Sequence, residues 1–417
     1  MAITLKKKPV NGMKDILPEE MQIRDYVIGL VKETYGNFGF SSIETPCVEH
    51  IENLCSKNGG ENEKLIFKIL KRGEKLKIDE AQTENDLADS GLRYDLTLPL
   101  SRYYANNANE LASPFKALQM GNVFRADRPQ KGRFRQFMQC DIDILGDPSY
   151  LAETELILAT TTLLGKLDFK GFTVHINDRR ILKAMAEYAG FPSDSFDTVF
   201  IILDKMDKIG EEGVKAELIE AGFSEDSANK YLNLFKDIDG SVDGINKLSE
   251  ILGDVLPAEV SGNLSHICQL VQNAKVADFN LEFDPTLVRG MSYYTGTIFE
   301  ITMAEFGSSV AGGGRYDEMI GKFTGNPTPA VGFSIGFERI ITILLDNGFK
   351  VPGNSDNIAY LIEKGASDEQ VANVLSEATR LRESGKKVLV AMMNKNKKFQ
   401  KEQLNKAGFT EFKEVFK

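Results

Sequence analysis

Between Arg125 and Arg135 the chain sets five basic side chains, Arg125, Arg128, Lys131, Arg133 and Arg135, against a single acid, Asp127. The whole chain carries 50 Lys and Arg against 61 Asp and Glu, a formal net charge of −11. A cationic cluster on an acidic chain calls for an anionic ligand. Arginine suits a phosphoryl group, because its planar fork bonds two oxygens and keeps its proton. Directly downstream, Gln139, Asp141 and Asp143 alternate with Cys140 and Ile142. A period of two places those three polar groups on one strand face, ready to bond a polar molecule. A basic run is also the ordinary signature of a solvated loop, and at this point both readings stand.

The frame around the cluster predicts a hairpin. An apolar run ends at Val123-Phe124, Arg128-Pro129 and Lys131-Gly132 mark a turn, and a second run then leaves. Nearer the N-terminus, Pro18 opens a helix whose apolar stripe is Ile23, Tyr26, Val27, Leu30 and Val31. Gly36 ends it, and a strand-like run leads to Pro46. At about 195–262 short helical periods replace strand signals, with Ser224 as an N-cap. After Asn347-Gly348 the pattern becomes strand, helix, strand. Ser367 and Gln370 form a capping box, Gly385 closes the helix, and the flanking strands should run parallel through a right-handed crossover. Lys395, Lys397, Lys398 and Lys401 open a further helix, either to grip phosphates or to keep one face wet.

Length and composition set outer bounds. A chain of 417 residues has room for two or three domains, and 42% hydrophobic with 27% charged residues is ordinary for a globular protein. No apolar run approaches the ~18 residues of a membrane span, and Lys6-Lys7-Lys8 precedes no signal-like segment. Cys47, Cys55, Cys140 and Cys268 lack metal-site spacing and lie far along the chain from His50, His175 and His266. They read as thiols of a reducing cytoplasm, with no residue assigned to a metal.

Four stretches together resemble a known family. FRADRPQKGRFRQFMQCDID is similar to the second signature motif of histidyl-tRNA synthetases, which are class II aminoacyl-tRNA synthetases. LRYDLTLPLSRYYA at 92–105, LVRGMSYYTGTIFEI at 287–301, and AGGGRYDEMI with VGFSIGFERI at 311–340 follow in family order. The resemblance implies an α+β fold: a six-stranded antiparallel sheet flanked by helices over 1–348, a helical insertion at about 195–262, and a small α/β domain at 355–417. That last domain resembles the family's anticodon-binding domain in a shortened form. The position of Pro46 implies a homodimer.

The resemblance also implies roles for residues. Histidine and ATP would give histidyl-adenylate, and the histidyl group would pass to the 3′ end of tRNA(His). Arg125 would bridge the α-phosphate and the substrate carboxylate, Arg339 would meet the γ-phosphate, and Arg289 would stand opposite the α-phosphate. Charge-assisted bonds of this kind contribute about 1.5–3 kcal/mol each. Asp95 and Thr97 of YDLT, with Leu96 between them and Gln139 nearby, would address the α-amino group. Asp143 and Tyr294 would address the imidazole, Tyr293 would add to the wall, and Tyr316 would stand behind the glycine-rich floor. Arg133 would touch ATP or the tRNA end, and Mg2+ would bridge the ATP phosphates. Ser292 departs from the aspartate common at its place. A non-catalytic, synthetase-like regulatory subunit of ATP phosphoribosyltransferase is the alternative, and a tRNA-sensing module a third; retention of Arg125, Arg289, Arg339 and GGGRYD favours the enzyme.

Overall fold

The computed structural model describes residues 5–55, 61–129, 133–236, 238–288, 293–304, 307–352 and 357–417. The chain divides into two compact units, Met1–Lys14 with Leu30–Ile340, and Asp15–Gly29 with Ile341–Lys417.

In the larger unit the strands are β1 (Ser41–Ile43), β2 (Val48–His50), β3 (Lys68–Leu70), β4 (Ala88–Leu92), β5 (Phe115–Phe124), β6 (Gln136–Leu145), β7 (Phe172–Asp178), β8 (Phe279–Phe283), β9 (Thr297–Met303), β10 (Ser308–Arg315) and β11 (Ala330–Ile335). Eight of them form one sheet in the order β1-β5-β6-β11-β10-β9-β7-β8. The six inner strands, β5 to β7, each run antiparallel to the next, as the resemblance implies. β1 and β8 extend the edges in parallel, an addition that the antiparallel expectation did not include. A small separate sheet pairs β2-β4-β3.

The predicted hairpin is β5 with β6, in register from Phe115 opposite Leu145 to Phe124 opposite Gln136. The alternation of β6 does what its period requires. Cys140, Ile142 and Ile144 are buried on one side, and Gln139, Asp141 and Asp143 share the other. The helix Tyr150–Lys166 packs against β6 and β11, and the helix Ala258–Ala274 packs against it in turn. Gly313 of β10 sits in register between Phe333 of β11 and Phe299 of β9. A Cβ there would press on the Phe299 ring at 2.8 Å. Without one, the two rings meet at 4.5 Å between centroids.

Residues 193–274 carry helices and 3-10 turns with no strand among the described residues. Ser224 caps as its type predicts, its Oγ accepting from Ser227 N at 3.0 Å.

The smaller unit contains β12 (Ile358–Ile362), β13 (Val388–Met392) and β14 (Glu411–Val415), all parallel, in the order β13-β12-β14. The Ser367–Gln370 capping box is formed, and Gly385 takes a φ of 85° just past the helix it follows. Tyr26 packs on Phe349, 5.6 Å between centroids, so the first turns of the helix Pro18–Asn37 belong to this unit. Among the lysines, Lys397 pairs with Glu414 at 2.6 Å and Lys401 pairs with the same carboxylate.

Candidate active site

Cross-strand register builds the floor of a cavity of about 330 Å³ in the larger unit. One row across the sheet is Gln119, Asp141, Ser334 and Gly312; the next is Ala117, Asp143, Gly332 and Gly314. The first row is polar and the second is nearly stripped of side chains. Glycine at 332 is required by close approach, because a Cβ there would overlap the Asp143 carboxylate. At Gly314 a Cβ would come within 2.9 Å of the Tyr294 ring. The glycines therefore leave room for a carboxylate, two tyrosines and a ligand.

One end of this cavity is acidic. Asp143 is buried and accepts a hydrogen bond from the Tyr316 hydroxyl at 2.5 Å. Burial holds the Asp143 carboxyl well above the usual carboxylate range, with the neighbouring Asp141 adding to the effect. Burial pushes Asp141 itself up to about 7, with Asp95 adding and hydrogen bonds from Ser334 and Gln139 opposing. Asp95, which accepts from Leu98 N at 3.1 Å at the start of the helix Thr97–Asn107, is raised by burial too. Three desolvated carboxyls face one cavity, each held by hydrogen bonds from neutral donors, and a cationic ligand would favour the charged form of all three.

The walls at this end are aromatic. Tyr293 and Tyr294 stand 4.8 Å apart edge to face, and Tyr293 lies 6.2 Å from Tyr316. Burial drives the Tyr316 and Tyr293 phenols well above their ordinary range, so both stay neutral donors. Thr97 lines the cavity and bonds Tyr293. Leu96 does not line it: the side chain is fully buried, and its carbonyl accepts from Gln119 Nε2 at 2.9 Å.

The other end is basic. Arg125 follows β5, donates from Nε to the Tyr94 carbonyl at 3.0 Å, and lies over the Tyr94 ring at 4.2 Å and the Phe137 ring at 5.1 Å. Pinned from two sides, its guanidinium is held in place before any ligand arrives. Arg339, in the helix Phe337–Asp346, donates to the Ser309 carbonyl and lines the same cavity. Arg133 and Asp127 line it as well. Arg135 does not: it ties down the loop, donating to the Asp127 carbonyl at 3.0 Å and the Asn11 carbonyl at 3.4 Å. The five-residue basic cluster thus splits, since Arg128 is exposed and Lys131 lies outside the described residues. Arg289 and Ser292 also lie outside them.

Glu338 and Ser334 are among the site residues that had no role in the sequence reading. Glu338 lines the basic end and accepts from Met138 N at 3.2 Å. Ser334 reaches Gln139 Nε2 at 3.2 Å from the neighbouring strand. Glu338 adjoins Arg339 in the sequence, but Ser334 is visible only through strand register. Arg315 of the GGGRYD stretch points away from the cavity. It makes two 2.7 Å bonds to Glu153 and a third to Asp317, both ends of the Glu153 pair being buried. Asp317 in turn accepts from Ala330 N at 2.8 Å. This clamp fixes the strand end from which Tyr316 projects.

Residues 12–340 match the family described as Histidyl-tRNA synthetase. A Histidine--tRNA ligase of Leifsonia xyli subsp. xyli is 40% identical over 417 residues, covering 97% of this chain and 94% of the relative. A Probable histidine--tRNA ligase of Tropheryma whipplei is 43% identical over 356 residues, 82% of each chain. Among solved structures, histidyl-tRNA synthetase from Nostoc sp. PCC 7120 superposes with a TM-score of 0.79 at 28% identity, covering 97% of this chain and 90% of that one.

Proposed function

This chain belongs to the histidyl-tRNA synthetase family, and we propose that its cavity joins histidine to ATP and passes the histidyl group to tRNA. It is a histidine–tRNA ligase: the histidine carboxylate attacks the α-phosphate, pyrophosphate leaves, and a ribose hydroxyl at the tRNA 3′ end then takes the acyl group from AMP. The observation that carries this reading is one cavity with fixed guanidinium groups at one end and, at the other, the buried carboxyls of Asp141 and Asp143 beside the half-buried Asp95.

Arg125 would bridge the α-phosphate and the attacking carboxylate, two anions that repel until a cation lies between them. Arg339 would hold the γ-phosphate, and Arg289 would face Arg125 across the α-phosphate. Asp95, Thr97 and Gln139 would receive the α-ammonium, while Leu96, outside the cavity, would only anchor Gln119 through its carbonyl. Asp143 would accept from one ring nitrogen, with the Tyr316 hydroxyl fixing its position, while Tyr294 would bond the other and Tyr293 close the wall. A site that bonds both nitrogens rejects analogues lacking them by up to ~10⁴–10⁵. Arg133 would touch ATP or the acceptor end.

Magnesium would accompany ATP and neutralise phosphate charge. Asp127 and Glu338, beside Arg125 and Arg339, are the hard oxygen donors that fit an ion held mainly by phosphates. The homodimer, the cytoplasmic setting and an anticodon-binding role for 355–417 are part of the same proposal. Among the described residues no helix is long and apolar enough to cross a membrane.

Histidine-dependent ATP–pyrophosphate exchange tests the reading directly. Exchange that needs histidine and ATP together is expected; none above background would overturn it.

A further inference from the structure

Gln139 carries an unusual asymmetry. Its amide nitrogen has three oxygens around it, Asp141 Oδ1 at 3.4 Å, Asp141 Oδ2 at 3.3 Å and Ser334 Oγ at 3.2 Å. Its carbonyl Oε1 is buried and has no hydrogen-bond partner. Gln139 lines the cavity between the acidic end and Arg125. A buried acceptor without a donor is destabilising and calls for a donor from a bound molecule. An amide can turn by half a rotation and present its NH2 instead, which would repel an ammonium group. What prevents the turn is the acceptor pair beneath it: a carboxylate from the same strand face and a hydroxyl from the next strand. Asp141 and Ser334 are cross-strand partners, and Ser334 also hydrogen-bonds the Asp141 carboxylate, so the three groups form one connected set.

We propose that Asp141, seconded by Ser334, is a positioning residue that locks the Gln139 amide with its carbonyl toward the α-ammonium of the amino acid. The inference rests on the histidine-activating reading of the cavity and names what selects the ammonium end of the substrate. Asp141 acts through Gln139 rather than by touching the reacting atoms. Its carboxylate also adds negative potential where the ammonium binds, which points the same way. Asp141→Ala frees the amide to turn; Asp141→Asn keeps the shape and one acceptor oxygen but loses the charge; Ser334→Ala removes only the uncharged anchor.

The test compares two ligands on the full chain. Histidine carries the ammonium group, and 3-(imidazol-4-yl)propionate keeps the ring and carboxylate without it. Binding of both is measured by titration calorimetry for wild type, Asp141→Ala, Asp141→Asn and Ser334→Ala, with exchange kinetics alongside. The expected result is histidine affinity weakened about tenfold or more in Asp141→Ala, the size of one charge-assisted hydrogen bond, and by less in the other two. The des-amino ligand should bind all four proteins equally, and the exchange defect should fall on KM rather than kcat. Where Asp141→Ala does not fold, as judged by thermal unfolding, the other two variants carry the comparison. Equal weakening of both ligands would reduce Asp141 to a general structural part and overturn the proposal; undiminished histidine binding would do the same. Wild type that exchanges normally while the variants match it sinks this inference alone. Wild type that neither binds histidine nor exchanges sinks the functional reading and this inference with it.

Discussion

The Tyr316 hydroxyl donates to Asp143 across 2.5 Å, in space that exists because residue 332 has no side chain. The three residues come from three strands or strand ends, and each depends on the other two. Asp143 gains a donor that steadies its carboxylate, Tyr316 gains an acceptor for a buried hydroxyl, and Gly332 clears the floor beneath both.

Substitution Gly332→Ala should therefore cost activity far more than stability. The added methyl forces Asp143 off its position, and displacement of a binding group by about 1 Å can lower rate about 100-fold. Exchange kinetics at varied histidine, with circular dichroism to check folding, would measure this. A variant with unchanged kcat/KM for histidine would show that Asp143 has no part in holding the substrate.

Arg125→Lys keeps the charge and loses both the fork and the flat face that rests on Tyr94 and Phe137. A loss of about 10²–10³ in exchange is expected, as for removal of a fixed donor at a developing anion. Arg289→Ala should lower exchange by orders of magnitude with little effect on the unfolding midpoint. Full activity in either variant would mean that residue has been given the wrong role.

Breaking the clamp behind the site should act on stability instead. Arg315→Ala leaves Glu153 buried and unpaired, a loss of about 3–5 kcal/mol by the usual cost of an orphaned buried charge. Urea unfolding of the variant against wild type gives the number. A change below about 1 kcal/mol, typical of surface pairs, would show that the pair is not desolvated in solution.

The acidic end predicts a pH dependence of defined sign. Folding pushes Asp141 up to about 7 by burial, and Asp95 and Asp143 shift in the same direction. Above the unfolded value near 4 the native state binds more protons than the unfolded chain, so stability falls as pH rises, and the share of that fall due to Asp141 is complete once pH passes about 7. Asp141→Asn removes its share of that slope. Its unfolding midpoint, measured relative to wild type, should rise from about pH 4 to about pH 7 and hold steady above that. Parallel profiles for the two proteins would contradict the burial of a titrating carboxylate there. By the same linkage, histidine binding near neutral pH should release protons, seen as a buffer-dependent enthalpy.

Much of this protein is written in short-range pattern. The period of two in 136–145 yields β6 and its polar face, because alternate side chains of a strand must point to opposite sides. Pro18 marks a helix start by its fixed φ, and Ser224 and the Ser367–Gln370 box do so through bonds that span three residues. Motif order was enough to place Arg125, Arg339, Asp95, Gln139 and Tyr316 in one functional set, and the structure lines one cavity with them.

Other features depend on register and burial, which no local window contains. Ser334 meets Gln139 from 195 positions away, and Tyr316 meets Asp143 from 173. Arg135 and Arg315 look like ligand arginines by type, yet one ties down a loop and the other a strand end. Residue type and spacing determined which groups could serve an anionic and a cationic ligand. Only the packed sheet decided which were desolvated in the shared cavity and which were satisfied elsewhere, because charge and hydrogen-bond energetics follow distance in space and exclusion of water, not separation along the chain.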